Sequence, residues 1–97
     1  MKIITMKTRY MSLISQRRKV QTIRKNSLHY RDIKVGDVGW ITNYREKLKI
    51  RITKTYIKLR EELTEEEAIL DGFFSLSELL PLIPPGEIKI IRFELLV

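Results

Sequence analysis

The run Lys47-Leu48-Lys49-Ile50-Arg51-Ile52 alternates cation and aliphatic without interruption. Successive side chains of a strand point to opposite sides, so this segment specifies a β-strand with one apolar and one cationic face. A helix would scatter the same residues around its circumference. The chain must therefore build a sheet that has a core on one side and water on the other. The alternation then fails, because Tyr56, Ile57 and Leu59 cannot share a face, and this predicts a bulge or bend near Lys54 to Tyr56. Such irregularities bend a sheet toward a barrel.

The neighbouring segments fit that frame. Asp32 to Asp37 reads as a turn made permissive by Gly36, leading into a strand over Val38 to Thr42. This strand carries Trp40, a lone tryptophan expected in the core. Lys19 to Arg24 alternates as a partly exposed strand would, and Met11, Leu13 and Ile14 suggest a short helical turn ending at Arg17-Arg18-Lys19. Two helix starts are marked by the capping-box pairs Thr64 with Glu67 and Ser75 with Glu78. Leu63 can staple to Ala68, and Phe74 to Leu79, while Gly72 ends the first helix. Pro84-Pro85-Gly86 stops the second helix, and Ile88 to Leu95 forms a last strand in which the Ile90-Ile91 doublet suggests another bulge. The expected architecture is one α+β domain over residues 1–97, a partly open mixed β-barrel with two or three short helices over a cleft.

Charge narrows the partners. Residues 1–60 carry 17 basic against 3 acidic side chains, whereas residues 61–97 carry 2 against 9. Such a division favours a polyanion on one face, either RNA or a nucleotide-like ligand. The acidic helices around Glu61 to Glu67 offer a second surface, for a basic protein partner. With no cysteine, disulfides and thiolate metal sites are excluded. His29 has no companion ligands, and neither a metal nor a cofactor is expected. No stretch reaches the ~20 apolar residues of a membrane span, the N-terminal apolar run is too short for a signal peptide, and a cytoplasmic protein is expected. The oligomeric state is not legible.

Arg17-Arg18-Lys19-Val20-Gln21-Thr22-Ile23-Arg24 resembles the ASCH family signature Gly-x-Lys-x-x-Thr-x-Arg. Val35-Gly36-Asp37 follows at a suitable distance. Leu63 to Phe73 with Ser75 to Leu79 resembles the family's two-helix insertion, and Ile90-Ile91-Arg92-Phe93-Glu94 its last strand. The resemblance implies a PUA-like barrel and an association with RNA. Its similarity to bacterial acetylcytidine amidohydrolases implies, as the alternative, hydrolysis of the acetyl amide on modified cytidine. Arg17 stands where the family has glycine, a place where a side chain pays a steric cost if the backbone is left-handed.

The candidate nucleic-acid contacts are Arg17, Arg18, Lys19, Thr22, Arg24, Tyr44, Lys49 and Arg51. Arg24 would fork onto a phosphate or base edge, with Lys49 and Arg51 extending the contact and Tyr44 stacking. The bland alternative for Arg24 is a pair with a helix carboxylate such as Asp71. If the protein is an enzyme, the resemblance implies Lys19 as proton acceptor, Thr22 as nucleophile and Asp71 as proton donor. A lysine serves as a base only where desolvation or neighbouring cations lower its pKa.

Overall fold

In the computed structural model, which describes residues 2–96, the alternating run opens a long strand, β4 (Lys47–Leu59). It lies in a curled five-stranded sheet with β1 (Lys2–Thr5), β2 (Gln21–Lys25), β3 (Val38–Thr42) and β5 (Glu87–Leu95), in the order β1-β3-β4-β5-β2. β1 runs parallel to β3, and the other pairings are antiparallel. Among the described residues the sheet is joined by four short α-helices, α1 (Thr8–Ser15), α2 (Leu28–Arg31), α3 (Glu65–Leu70) and α4 (Leu76–Leu79), and by 3-10 turns at Arg60–Glu62 and Leu80–Leu82. The expected α+β, partly open barrel is what forms.

Leu48, Ile50 and Ile52 face inward as their alternation requires. Ile50 and Ile52 join Ile4, Ile41, Ile91 and Phe93 beneath Met11 and Ile14 of α1. The bulge sits slightly earlier than expected: Ile52 pairs with Phe93 and Lys54 with Arg92, which leaves Thr53 as the extra residue. One additional residue exchanges the faces of everything beyond it. Even-numbered side chains point inward before Thr53, and Tyr56 and Lys58 point outward after it, toward α3.

That exchange creates a second core on the outer side, where Ile23, Ile88 and Ile90 meet Leu63, Ala68 and Leu79. β5 therefore lies between two cores. The Ile90-Ile91 doublet reflects burial on both faces, because β2–β5 pairing runs unbroken from Gln21↔Arg92 to Lys25↔Ile88. This corrects the expected second bulge. It also corrects the reading of β2 as partly exposed, since Gln21, Thr22 and Ile23 are all buried. Trp40 is corrected too: it pairs across from Lys49 on the outer face, half-buried, with the ammonium groups of Lys47 and Lys49 over its ring.

The Thr64 capping box forms in full, the Thr64 hydroxyl accepting from Glu67 N–H and Glu67 Oε1 accepting from Thr64 N–H at 2.9 Å. Glu67 does more than cap. Its carboxylate accepts from Lys58 at 2.8 Å and from the Tyr56 hydroxyl, fastening α3 to the strand beyond the bulge. At α4 the Ser75 hydroxyl accepts from Glu78 N–H, but the expected box stays half-formed, with no return bond from the Ser75 N–H to Glu78 among the described residues; Glu65 accepts from the next N–H, that of Leu76. Phe74 remains 79% exposed and does not staple α4 to Leu79. Lys89, buried within β5, donates to the carbonyls of Tyr30, Arg31 and Ile33 and so anchors the end of α2.

Burial alone would raise the pKa of Glu67. The hydrogen bonds from Lys58, Tyr56 and Thr64 outweigh it and hold the carboxyl below its ordinary value near 4.5. A depressed carboxyl contributes stability above the unfolded-state pKa and loses it as pH falls through the folded-state value. Glu67→Gln is expected to destabilise the fold by about 2–3 kcal/mol in denaturant titrations at neutral pH. The gap between wild type and variant should shrink below pH of about 4.5.

Candidate functional site

Two helix ends meet at the edge of the sheet. α1 ends with Arg17 in a left-handed conformation at φ 61°, where Arg17 N–H donates to the Ile14 carbonyl and Arg18 N–H to that of Leu13, both at 2.9 Å. α3 ends in the same way: Gly72 has φ 94°, its N–H reaches the Ile69 carbonyl, and Phe73 N–H reaches that of Ala68. Both ends are Schellman motifs, which leave the helix axis through one left-handed residue. Glycine suits that place; the arginine at the end of α1 carries the steric cost expected from its departure from the family pattern.

The two ends are stitched together. Val20 N–H donates to the Leu70 carbonyl at 2.9 Å, and a Cβ on Gly72 would come within 3.2 Å of the Lys19 Cβ. This close approach carries Lys19 onto Asp71. The lysine Nζ donates to the Asp71 carbonyl at 2.9 Å and lies 3.2 Å from its Oδ1. Lys19 is 3% exposed and Asp71 4%. The lysine thus caps α3 and offsets a carboxylate standing at the unfavourable end of the helix dipole. Although Oδ1 is close to Nζ, it accepts no hydrogen bond among the described residues.

On the adjoining strand Thr22 and Arg24 share the inward side with Lys89 and Ile91 of β5. The Arg24 guanidinium donates to the Thr22 hydroxyl at 3.0 Å, the Tyr30 hydroxyl at 3.1 Å and the Thr5 carbonyl at 2.6 Å. Because Thr5 ends β1 and Thr22 lies in β2, one side chain bridges the two outermost strands of the open barrel. The pairing of Arg24 with Asp71 is not what forms: four of its five donors go to Thr22, Tyr30, Thr5 and the Met6 sulfur, and none to Asp71.

Lys19, Thr22, Arg24 and Asp71 line one cavity of about 450 Å³, together with Tyr10 and Phe73. These two rings meet edge to face at 6.1 Å, and Lys19 Nζ lies 5.3 Å from the centre of one and 6.0 Å from that of the other. Lys7 and Arg9 add exposed cations to the lining. Burial pushes the Asp71 carboxyl up to about 6 against the pull of Lys19 and Arg24. Burial likewise lowers Lys19, with Asp71 opposing the shift.

The remaining candidates lie elsewhere. Arg17 and Arg18 are exposed, the latter with its guanidinium 5.7 Å from the Phe74 ring centre. Lys49 and Arg51 are on the outer face of the sheet, where Arg51 pairs with Glu94 at 3.1 Å. They cannot extend the cavity, because alternation along β4 turns them away from it. Tyr44 is 84% exposed in the β3–β4 hairpin. Tyr10 and Phe73 were missed from sequence; the sole clue was that Phe73 follows the helix-ending Gly72 and so must turn inward or out with the Schellman bend.

No family model matches this chain, and no curated protein matches it. Solved structures do. An ASCH domain from Lactobacillus crispatus JV V101 superposes with a TM-score of 0.76 at 15% identity, covering 97% of this chain and 79% of that one. The hypothetical protein PH0355 gives 0.75 at 19% identity, covering 99% and 100%. Protein EF3133 from Enterococcus faecalis V583, of DUF984, gives 0.71 at 20% identity, covering 99% and 80%. At such identities the likeness is one of fold: the chain has an ASCH-like fold.

Two outcomes follow from this geometry. Carbon-detected NMR should find Asp71 titrating near 6, and Lys19→Met should raise that value further by deleting the nearest opposing cation. Arg17→Gly should stabilise the protein by about 0.5–1 kcal/mol in thermal or denaturant unfolding, as left-handed strain is relieved in excess of glycine's entropy cost.

Proposed function

We propose that this protein uses its ASCH-like fold to hold a nucleoside or nucleotide, free or as an unpaired residue of RNA, in the cavity beside β2. The observation that carries this reading is the cavity itself: about 450 Å³, the size of a nucleoside, and lined by the buried Lys19–Asp71 ion pair, Thr22 and Arg24 beside the rings of Tyr10 and Phe73. A few converging polar groups in an apolar-walled hollow suit a ligand with a planar face and a polar edge, such as cytosine or adenine. Tyr10 and Phe73 supply apolar walls for a planar base, and Lys7 and Arg9 supply charge for a phosphate.

A second reading, hydrolysis of the acetyl amide on acetylated cytidine, is favoured by the opposed shifts of Lys19 and Asp71. Burial draws each toward its neutral form against the attraction of the pair, and passage of the lysine proton to Asp71 gives a neutral amine beside a neutral acid. In that tautomer Lys19 can take the Thr22 hydroxyl proton as the oxygen adds to the acetyl carbon. Asp71 can then protonate the cytidine amine as the C–N bond breaks, and water afterwards releases acetate from the threonyl ester. Arg24, already donating to the Thr22 oxygen, would steady that oxygen as its charge grows.

Calorimetric titration with cytidine, its monophosphate and a short unstructured RNA tests the first reading, with acetate release from acetylated cytidine followed alongside. Binding should weaken at least about tenfold in Lys19→Met, and phosphate-bearing ligands should lose affinity steeply with salt. Absence of binding by all three ligands overturns the proposal. Turnover abolished by Thr22→Ala, with cytidine binding retained, would establish the second.

A further inference from the structure

The outer surface of the sheet is divided. α3 and α4 roof the half formed by β2, β5 and the end of β4, through Leu63, Ala68 and Leu79. On the other half Ile3, Lys47, Lys49 and Arg51 are exposed and Trp40 is half-buried. Trp40 is flanked on β1 by Ile3 and on β4 by Lys49, its direct cross-strand neighbours. The ammonium groups of Lys47 and Lys49 lie 4.6 and 5.9 Å from its ring centre. Alternate residues of a strand stand about 6.8 Å apart, so Lys47, Lys49 and Arg51 make an evenly stepped row of cations beside an aromatic plate.

From this arrangement we infer that the open half of the sheet is a track for single-stranded RNA, separate from the cavity, which opens beside β2 and the end of β1. The lysines are the moving parts. In the free protein their ammonium groups rest on the indole, a weak cation–π contact at an exposed site. A base that stacks on Trp40 displaces them, and the freed ammonium groups reach the flanking phosphates. The base–aromatic stack, the stronger of the two, replaces the contact that is lost. Arg51, held by Glu94, marks one end of the row, and Tyr44 in the hairpin beyond Lys47 offers a second exposed ring at the other.

RNA suits this surface better than other anions. An acidic peptide matches the charge but brings no planar face to exchange for the lysines on Trp40. An anionic membrane would call for several apolar side chains, and among the described strand residues of this half Ile3 is the one exposed large aliphatic.

Trp40 is the single tryptophan of the chain, so its fluorescence reports on this face directly. Titration with an oligouridine of about ten nucleotides should quench it saturably. In a Lys47→Gln/Lys49→Gln variant, whose surface changes leave folding intact by circular dichroism, affinity should fall at least about tenfold. The slope of log affinity against log salt should become shallower by about 1.4, the share of two phosphate contacts on a single strand. Cytidine at concentrations that fill the cavity should leave the quenching unchanged, which separates this track from the cavity reading. Unaltered quenching in the double variant overturns the inference. So does equal quenching by polyglutamate, which would mark an acidic-protein surface, or a response to anionic phosphatidylglycerol vesicles without one to RNA.

Discussion

A single inserted residue, Thr53, governs the organisation of this molecule. Before it, β4 commits its aliphatic side chains to the concave core under α1; beyond it, the same strand turns Tyr56 and Lys58 toward the opposite surface. There they grip the Glu67 carboxylate, which at the same time caps α3. The position of α3 is thereby set from two directions, and with it the place where the helix ends at Asp71. Without the exchange of faces, the strand would present Thr55 and Ile57 to α3, and the Glu67 carboxylate would keep only its bonds within the Thr64 cap. The cavity pair is thus a remote consequence of a local backbone irregularity.

Much of this was legible in the sequence where the signal is local. The β4 alternation, the Thr64-Glu67 box and Gly72 each reflect geometry closed within a few residues, and each appears where expected. What could not be read depends on which surface another element covers. Ile90-Ile91 looks like a broken period because β5 is covered on both sides. Trp40 has the composition of a core residue but sits where no partner strand or helix supplies a core, leaving lysine stems to cover it. Lys89 gives no sign in the sequence that its ammonium will find three carbonyls at the end of α2. At the cavity, the signature resemblance brought Lys19, Thr22, Arg24 and Asp71 together in expectation, and they do line one hollow. The tasks of those side chains were less legible, because Arg24 is engaged by Thr5 and Tyr30, residues outside the motif.

The charge division takes on a different meaning in three dimensions. The excess of cations in the first 60 residues does not collect at one place: some border the cavity, others form the row beside Trp40, and Arg24, Lys58 and Lys89 are consumed inside the fold. The acidic segment supplies Glu67 and Asp71 to the interior as well as a solvated helix surface. Net charge by segment therefore overstates what is available to a ligand, since cations already paired contribute little outward field.

β2 carries Thr22 and Arg24, yet among the described residues its strand partner is β5, with Gln21 matched to Arg92 some seventy positions later. Contacts of such separation close late, because the intervening chain must first surrender its freedom. While a ribosome is still making this protein, the β3–β4 hairpin can assemble, but the strand bearing the signature has nothing to lie against. The hollow comes into being only once β5 has joined the sheet, so the wall that Thr22 and Arg24 build waits on a segment made some seventy positions after them.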